Sequence, residues 1–347
     1  MKTPKLLCTI AAVALAQGSL FAVNTDPVGF VSVTVPANSD AILAVPLNRV
    51  AEFKGVIQTI SGNTITVSGT PGWVASQFVQ SLPGQPKTYA IQIASGAKEG
   101  LTGTITANGT NSVTVTIDSA ETLAGIGSAD VPVDPDGAGP LTAQADQVDI
   151  MPFWTLGSLI PNSTAGLSGS KILTPNVTSS GTNLSSGGIF ESDGTNWYDG
   201  DFNVADNTIL PFGKSFTIRS GGSALSISMI GSVPMNKHRF ALRTVANGTD
   251  QDIMIGYSSP VAEPLSNIGL GFNDEDQLLV FDNTASGINK SASQIYVYTA
   301  SSGWLDGDFN PVTSAIKLQP GFGYVFRKKS TGAASTFVWS DLQTYLQ

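Results

Sequence analysis

The sequence predicts an all-β protein, in which an N-terminal β domain is followed by two tandem copies of a duplicated β module. Three observations carry this prediction. Short runs of alternating β-branched residues are separated by turn-forming residues. Residues 197–203 read Trp-Tyr-Asp-Gly-Asp-Phe-Asn, and residues 304–310 repeat this block with Leu in place of Tyr. Helix candidates are few and short, at residues 75–82, at residues 120–124 and at the last seven residues.

Residues 1–22 have the features of a secretory signal peptide. Two lysines precede an apolar run between Leu6 and Ala16, and small residues follow up to Ala22. The run is too short for a membrane-spanning helix. The only cysteine, Cys8, lies in this segment, so we expect a mature chain without disulfides. The sequence therefore predicts a secreted protein, extracellular or periplasmic and associated with the cell envelope, with no transmembrane segment in the mature chain.

Residues 23–126 are expected to form the N-terminal β domain. Gly-Asn at residues 62–63 and Asn-Gly at residues 108–109 each separate two β-branched runs, which is the pattern of a β-hairpin. Residues 127–147 then become rich in Ala, Gly, Asp and Pro and have little to bury. We interpret residues 127–147 as a linker.

The remainder is interpreted as β repeat A, residues 148–232, and β repeat B, residues 238–342. Matches extend outward from the two seven-residue blocks, and their spacing widens as loop insertions would make it. A repeat of this length is typical of duplicated domains rather than of solenoid units. The matches used are 149–151 with 252–254 (Asp-Ile-Met in both), Pro211 with Pro320, and 212–213 with 322–323 (Phe-Gly in both).

The Asp-Gly-Asp motif is a candidate calcium site. Oxygen-bearing side chains occupy alternate positions of a glycine-containing turn, and calcium prefers several oxygen ligands. The alternative is a purely structural turn, in which aspartate accepts backbone N–H bonds and the flanking Trp and Phe attach the turn to the core. The candidate ligands are Asp199, Asp201 and Asn203 in the first copy and Asp306, Asp308 and Asn310 in the second.

Large aromatic residues suggest a second kind of site, because indole rings stack on the CH faces of sugars. Trp197 and Trp304 are the candidates for ligand stacking. The alternative is that these tryptophans are core anchors, since each recurs together with a phenylalanine, Phe202 or Phe309.

Composition and motifs argue against several classes of function. The chain carries 17 basic and 26 acidic residues, a net charge of −9, without a basic stripe, which disfavours nucleic acid and anionic lipid as partners. The single histidine, His238, has no Gly-x-Ser-x-Gly elbow to accompany it. No phosphate-binding loop or dinucleotide fingerprint is present. We therefore expect a protein that is not an enzyme. Calcium is the one candidate cofactor.

The start of the mature chain and the repeated blocks resemble an uncharacterised family of exported β-rich proteins from Verrucomicrobia-type bacteria. The resemblance includes residues 26–30 (Asp-Pro-Val-Gly-Phe), residues 35–43, residues 154–157 (Trp-Thr-Leu-Gly) and residues 320–323 (Pro-Gly-Phe-Gly). It implies a bacterial envelope or secreted location and brings no catalytic residues. The sequence hypothesis is thus an exported structural or adhesive protein that self-assembles or binds cell-surface polysaccharide. The alternative is a carbohydrate-binding protein, and a glycoside-directed hydrolase is less favoured.

Overall fold

The computed structural model describes residues 26–79, 88–134, 143–244 and 248–347. The predicted signal peptide, residues 1–22, lies outside them. Described residues are almost entirely in strands, turns and loops, with short helical segments only, so the all-β prediction is confirmed.

The strands fall into four groups along the chain. The first two are β1 (Val28–Val35) and β2 (Asp40–Ala44). Six follow: β3 (Phe53–Ser61), β4 (Thr64–Val67), β5 (Tyr89–Ile93), β6 (Thr102–Asn108), β7 (Ser112–Ile117) and β8 (Gln147–Pro152). Seven more are β9 (Trp154–Thr155), β10 (Lys171–Thr174), β11 (Gly188–Ser192), β12 (Trp197–Tyr198), β13 (Ile209–Leu210), β14 (Ser215–Arg219) and β15 (Leu225–Ser232), with helix α1 (Leu156–Leu159) after β9.

The last group of strands ends the chain. It comprises β16 (His238–Arg243), β17 (Gln251–Gly256), β18 (Glu263–Pro264), β19 (Gln277–Val280), β20 (Gln294–Thr299), β21 (Gly303–Leu305), β22 (Lys317–Leu318), β23 (Gly323–Lys328) and β24 (Thr336–Asp341). Two 3₁₀ helices accompany these strands, Leu265–Asn267 and Thr344–Leu346.

Strands β3 to β8 close into an antiparallel barrel with the order β3-β4-β7-β6-β5-β8. The two predicted hairpins are confirmed, since β3 pairs with β4 and β6 pairs with β7. Gly62 supplies the positive φ of 56° that the first turn requires. Inward-facing aliphatic side chains fill the barrel, which is the expected result of alternation along each strand. Its fully buried members include Ile57, Ile65, Val113 and Ile150.

The remaining strands form two sets with the same topology, and the first set combines β1 and β2 with β9 to β15. In the first, β1 pairs with β15, β13 pairs with β9, and a five-stranded sheet has the order β12-β11-β10-β14-β2. In the second, β16 pairs with β24, β18 pairs with β22, and the five-stranded sheet has the order β21-β20-β19-β23-β17. We term the first module A (residues 28–44 and 154–232) and the second module B (residues 238–341). Each encloses its own hydrophobic core.

Strand pairing crosses the boundaries predicted from sequence. Strands β1 and β2, placed in the N-terminal domain 23–126, pair with β15 and β14 of predicted repeat A. Strand β8, placed at the start of repeat A at residue 148, instead pairs with β3 and β5 of the barrel. The barrel is therefore inserted into module A, between β2 and β9. The predicted linker, 127–147, lies partly outside the described residues. Within it, Gly127 hydrogen-bonds to Asp146, the residue before β8, and the N–H of Ala129 donates to the carbonyl of Ile57 in β3.

The register of the duplication also differs from the predicted matches. Asp149 pairs within the barrel. The counterpart of Asp252 is Asp40, because Asp40 pairs with Arg219 and Asp252 pairs with Arg327, each arginine lying near the end of the neighbouring strand. When Arg219 is aligned with Arg327, strands β14 and β23 correspond residue by residue, with no insertion between them. In this alignment Gly213 of module A corresponds to Gly321 of module B, and their φ angles are 69° and 78°. The sequence match pairs Gly213 with Gly323 instead.

Candidate functional site

The first Asp-Gly-Asp bend is held by a single carboxylate. Asp199 Oδ1 accepts hydrogen bonds from the backbone N–H groups of Asp201 and Asn203, both at 2.9 Å. The side-chain amide of Asn203 also donates to Asp199 Oδ2 at 3.2 Å. These backbone hydrogen bonds hold the pKa of Asp199 below its usual value, since they favour the charged carboxylate.

The second bend repeats the first atom for atom. Asp306 Oδ1 accepts from the N–H groups of Asp308 and Asn310, both at 2.9 Å, and the Asn310 amide donates to Asp306 Oδ2 at 3.3 Å. The pKa of Asp306 is lowered for the same reason. The same bonds therefore stabilise the same bend in both modules.

This geometry fits the structural turn better than a calcium loop. In each bend the asparagine presents its NH₂ group, a donor, to the aspartate, whereas a shared cation requires oxygen atoms on both. Within the described ranges, no group of three or more His, Cys, Asp and Glu side chains is arranged to hold a metal ion. Calcium binding stays a prediction to be tested in solution.

The phenylalanine of each bend is exposed rather than attached to the core. Phe202 is 86% exposed and Phe309 is 73% exposed. Both have a φ of 62°, in the left-handed region that bulky side chains seldom occupy. The expectation that these rings anchor the turn is therefore wrong. The bends instead present a phenylalanine ring to solvent.

The tryptophans lie in the cores of the two modules. Trp197 is fully buried and donates its indole N–H to the carbonyl of Ile160 at 3.2 Å. Trp304 is nearly as buried and donates to the carbonyl of Leu270 at 3.1 Å. Rings packed on all sides by core residues cannot stack on a sugar, so the anchor interpretation replaces the ligand-stacking one.

His238 is buried among aromatic rings at the start of β16. Its Nδ1 accepts a hydrogen bond from the backbone N–H of Ser258 at 3.3 Å, and the rings of Phe240, Tyr257 and Trp339 pack around it. Burial lowers the pKa of His238 to about 3. The imidazole is therefore neutral at physiological pH and belongs to the core.

The two modules meet through reciprocal contacts, which were not expected from sequence. The backbone N–H of Ala44 donates to the carbonyl of Gly321, and that of Gly256 donates to the carbonyl of Gly213, both at 3.0 Å. These are the same contact made in both directions, as in an isologous dimer interface. Gly256 permits the close approach, because a Cβ there would lie 2.3 Å from the Cβ of Ala44.

Each module also extends an arm over the other. Arm A (residues 175–187) joins β10 to β11, and arm B (residues 281–293) joins β19 to β20. In arm A, the Gly181 carbonyl accepts from the N–H of Asp252 at 2.9 Å. The N–H of Asn183 donates to Oδ2 of the same aspartate at 2.7 Å.

Arm B makes the equivalent contacts with module A. The Gly287 carbonyl accepts from the N–H of Asp40 at 2.9 Å, and the N–H of Asn289 donates to Asp40 Oδ2 at 2.7 Å. The arms share the sequence Ser-Gly-x-Asn, at residues 180–183 and 286–289. This second repeated motif is the signal in the sequence from which the arms could be found.

A bidentate ion pair lies beneath each arm. Asp40 binds Arg219 at 2.7 and 2.8 Å, and Asp252 binds Arg327 at 2.7 and 3.0 Å. These carboxylates raise the pKa of both guanidinium groups. Each aspartate thus joins its own sheet to the arm of the other module.

A cavity of about 800 Å³ lies between the arms. Its walls come from module A, module B and the barrel. Apolar side chains of the two sheets, such as Ile42 and Val325, form much of its surface, and charged residues surround them. Its size falls within the range of roughly 300–1,000 Å³ typical of small-molecule sites.

Comparisons of the chain with models of protein families, with curated proteins and with solved structures found no match. Among the residues that the structure describes, no helix combines the length and apolar character needed to cross a bilayer.

Proposed function

We propose that the protein is an exported, non-enzymatic structural or adhesive component of the bacterial cell envelope. In this proposal the two Asp-Gly-Asp bends are contact points for further copies of the chain. The observation that carries it is the exposure of Phe202 and Phe309 in the same left-handed conformation. Export rests on the signal-peptide pattern of residues 1–22.

Each bend lowers the stability of the free chain if its phenylalanine contacts no partner. A ring left in water forgoes roughly 1.5–3 kcal/mol that burial would contribute. A left-handed backbone costs a non-glycine residue about 1–2 kcal/mol more. Both copies nevertheless keep the ring, its conformation and the aspartate that fixes the bend. A contact that buries the rings would offset these costs, and two such bends on one chain allow an extended assembly.

A second candidate function is carbohydrate binding. The exposed rings of Phe202 and Phe309, rather than the buried tryptophans, would stack on the sugar, and neighbouring Asp201 or Asp308 would accept hydrogen bonds from hydroxyl groups. A glycoside-directed hydrolase has less support. Among the described residues, the carboxylates that define the bends are bonded to their own backbone rather than paired across a cleft.

The two functions are separated by measuring self-association and glycan binding on the purified mature chain. The assembly proposal predicts concentration-dependent oligomers by sedimentation velocity and ordered particles by electron microscopy. The double variant Phe202→Ala/Phe309→Ala should remain monomeric. Phe30→Ala is a matched control, because Phe30 is also exposed but lies on β1, away from the bends.

Either of two results would overturn the assembly proposal: a wild-type chain that is monomeric at all concentrations, or a double variant that associates as the wild type does. Saturable glycan binding by a monomer, lost in the double variant, would establish the carbohydrate function instead.

A further inference from the structure

The two-fold relationship between the modules fails at Lys214, which lines the cavity between the arms. Lys214 and Phe322 are counterparts: each follows a positive-φ glycine, and each forms an isolated bridge with the other module. Lys214 bridges to Ile255, and Phe322 bridges to Leu43. Module A therefore places an amine where module B places an apolar ring.

The Lys214 side chain is partly buried, and its ammonium has no hydrogen-bond or ion-pair partner among the described residues. Its Nζ lies 5.6 Å from the centre of the Phe240 ring. Among the described residues, none places a carboxylate or another acceptor within bonding distance of it. Asp118 and Arg243 act on it only at longer range and with opposite signs. Burial lowers the pKa of Lys214.

The other cations that line the cavity already have partners. Arg219 is bound by Asp40, and Arg243 is bound by Asp118. The ammonium of Lys290 donates to two backbone carbonyls of its own arm. Within the described part of the cavity wall, Lys214 is thus the one cation that lacks a hydrogen-bond or ion-pair partner.

The apolar part of the cavity comes from the outer faces of the two central sheets. Ile42, Leu279 and Val325 form one cluster, against which Met254 and Phe281 pack. All five side chains line the cavity that Lys214 also lines. Such a site offers one unsatisfied positive charge beside an apolar surface.

We propose that this cavity binds a small organic anion with an apolar body, of the class of medium-chain monocarboxylates. The carboxylate pairs with the Lys214 ammonium, and the alkyl chain packs against Ile42, Met254 and Val325. A partly desolvated charge without a protein partner is less favourable than a paired one, and a charge-assisted hydrogen bond to the ligand supplies that partner. This site is separate from the Phe202 and Phe309 bends and does not depend on the function proposed for them.

The test compares octanoate with octanol and octylamine, which share the apolar body and differ in charge. Isothermal titration calorimetry on the purified mature protein should show saturable octanoate binding, at least about tenfold tighter than that of octanol. Octylamine should not bind. Lys214→Met keeps the apolar stem but removes the charge, and should weaken octanoate binding by about tenfold or more.

Two further variants make the result specific. Lys214→Arg keeps the positive charge and should retain octanoate binding. Lys317→Met removes an exposed lysine outside the cavity and should bind as the wild type does. Absence of saturable octanoate binding, octanol binding of equal strength, or unchanged affinity in Lys214→Met would overturn the proposal. Thermal melting confirms that each variant is folded.

Discussion

Asp40 of module A receives a hydrogen bond from the backbone N–H of Asn289 of module B, at 2.7 Å. The same carboxylate binds the guanidinium of Arg219, so one side chain joins a β-sheet to the arm that reaches over it. The symmetry-related pair, Asp252 and Asn183, has the same distance. The stability of the two modules is therefore coupled through two aspartates.

Asp40→Ala should destabilise the protein by about 2–4 kcal/mol, because it leaves a partly buried guanidinium without its carboxylate and removes the acceptor for arm B. Asp252→Ala should cost a similar amount by the reciprocal argument. Urea unfolding measures both. Glu191→Ala is the control, since its pair with Lys171 is mostly exposed and should contribute less than about 1 kcal/mol. Equal effects of Asp40→Ala and Glu191→Ala would contradict the coupling.

Gly256→Ala should cost about 1–3 kcal/mol, because the added Cβ would meet the Cβ of Ala44 at 2.3 Å across the module interface. Gly307→Ala is the matched control, as a Cβ there has no neighbour within 4 Å. Adding Ala44→Gly to the Gly256 variant removes the opposing atom and should recover part of the loss. Thermal melting of the four proteins tests this, and equal losses at Gly256 and Gly307 would rule out the steric explanation.

Asp199→Ala and Asp306→Ala should each lower the melting temperature, because each removes the acceptor of two backbone N–H groups in a bend. Asp199→Asn keeps an acceptor oxygen and should be milder than Asp199→Ala. Differential scanning calorimetry makes the comparison. If the alanine variants melt as the wild type does, the carboxylates do not hold the bends.

The calcium hypothesis makes a separate prediction on the same proteins. If the bends bind calcium, millimolar calcium should raise the melting temperature by several degrees over EGTA, and the alanine variants should lose this rise. The donor-acceptor contact between Asn203 and Asp199 favours the opposite outcome, an unchanged melting temperature. No shift at millimolar calcium would eliminate the metal site.

His238 should contribute to acid unfolding. Burial lowers its folded-state pKa to about 3 from the ordinary value of 6.5, so the unfolded chain binds the proton more readily between these values. The associated stability is present above pH 6.5 and is lost as the pH falls toward 3, with a total of up to about 5 kcal/mol. The replacement His238→Gln should flatten the pH dependence in that window.

The chain has one histidine, so NMR reports on it without assignment. The imidazole Cε1–H signal should not titrate between pH 8 and 5 in the folded protein, a window about one and a half units either side of the ordinary histidine pKa. A titration midpoint near that of free histidine would show instead that the ring is accessible to solvent.

Local features could be predicted from sequence because their causes are local. Alternation and the Asn108-Gly109 turn identified the barrel hairpin formed by β6 and β7. The seven-residue repeat identified equivalent bends in two modules. The exposure of Phe202 could not be predicted, because a ring that recurs beside a tryptophan indicates an apolar anchor and the positive φ of that residue leaves no sequence signal of its own.

The membership of strands could not be predicted because it depends on pairing between distant residues. Asp-Ile-Met at residues 149–151 is identical to residues 252–254. A comparison that keeps the residues in chain order therefore selects this match. The structural counterpart is Asp40-Ala41-Ile42, which an entire barrel separates from the rest of module A. An insertion of this kind preserves the pairing of β2 with β14 and destroys the collinearity on which a sequence comparison depends.

The first and last strands of the barrel, β3 and β8, are hydrogen-bonded neighbours, with Phe53 opposite Ile150. The chain thus departs from module A and returns to it at almost the same place. A segment bracketed in this way is a cassette: exchanging it for another fold with adjacent termini keeps the strand pairings of the two modules, while it removes the ion pairs of the barrel region with module B, such as Arg239 with Glu121. Junctions after Asn48 and before Trp154 keep Leu47 in the core of module A and Asn48 bridged to Ser232, so they are the graft points for engineering a new head onto this scaffold.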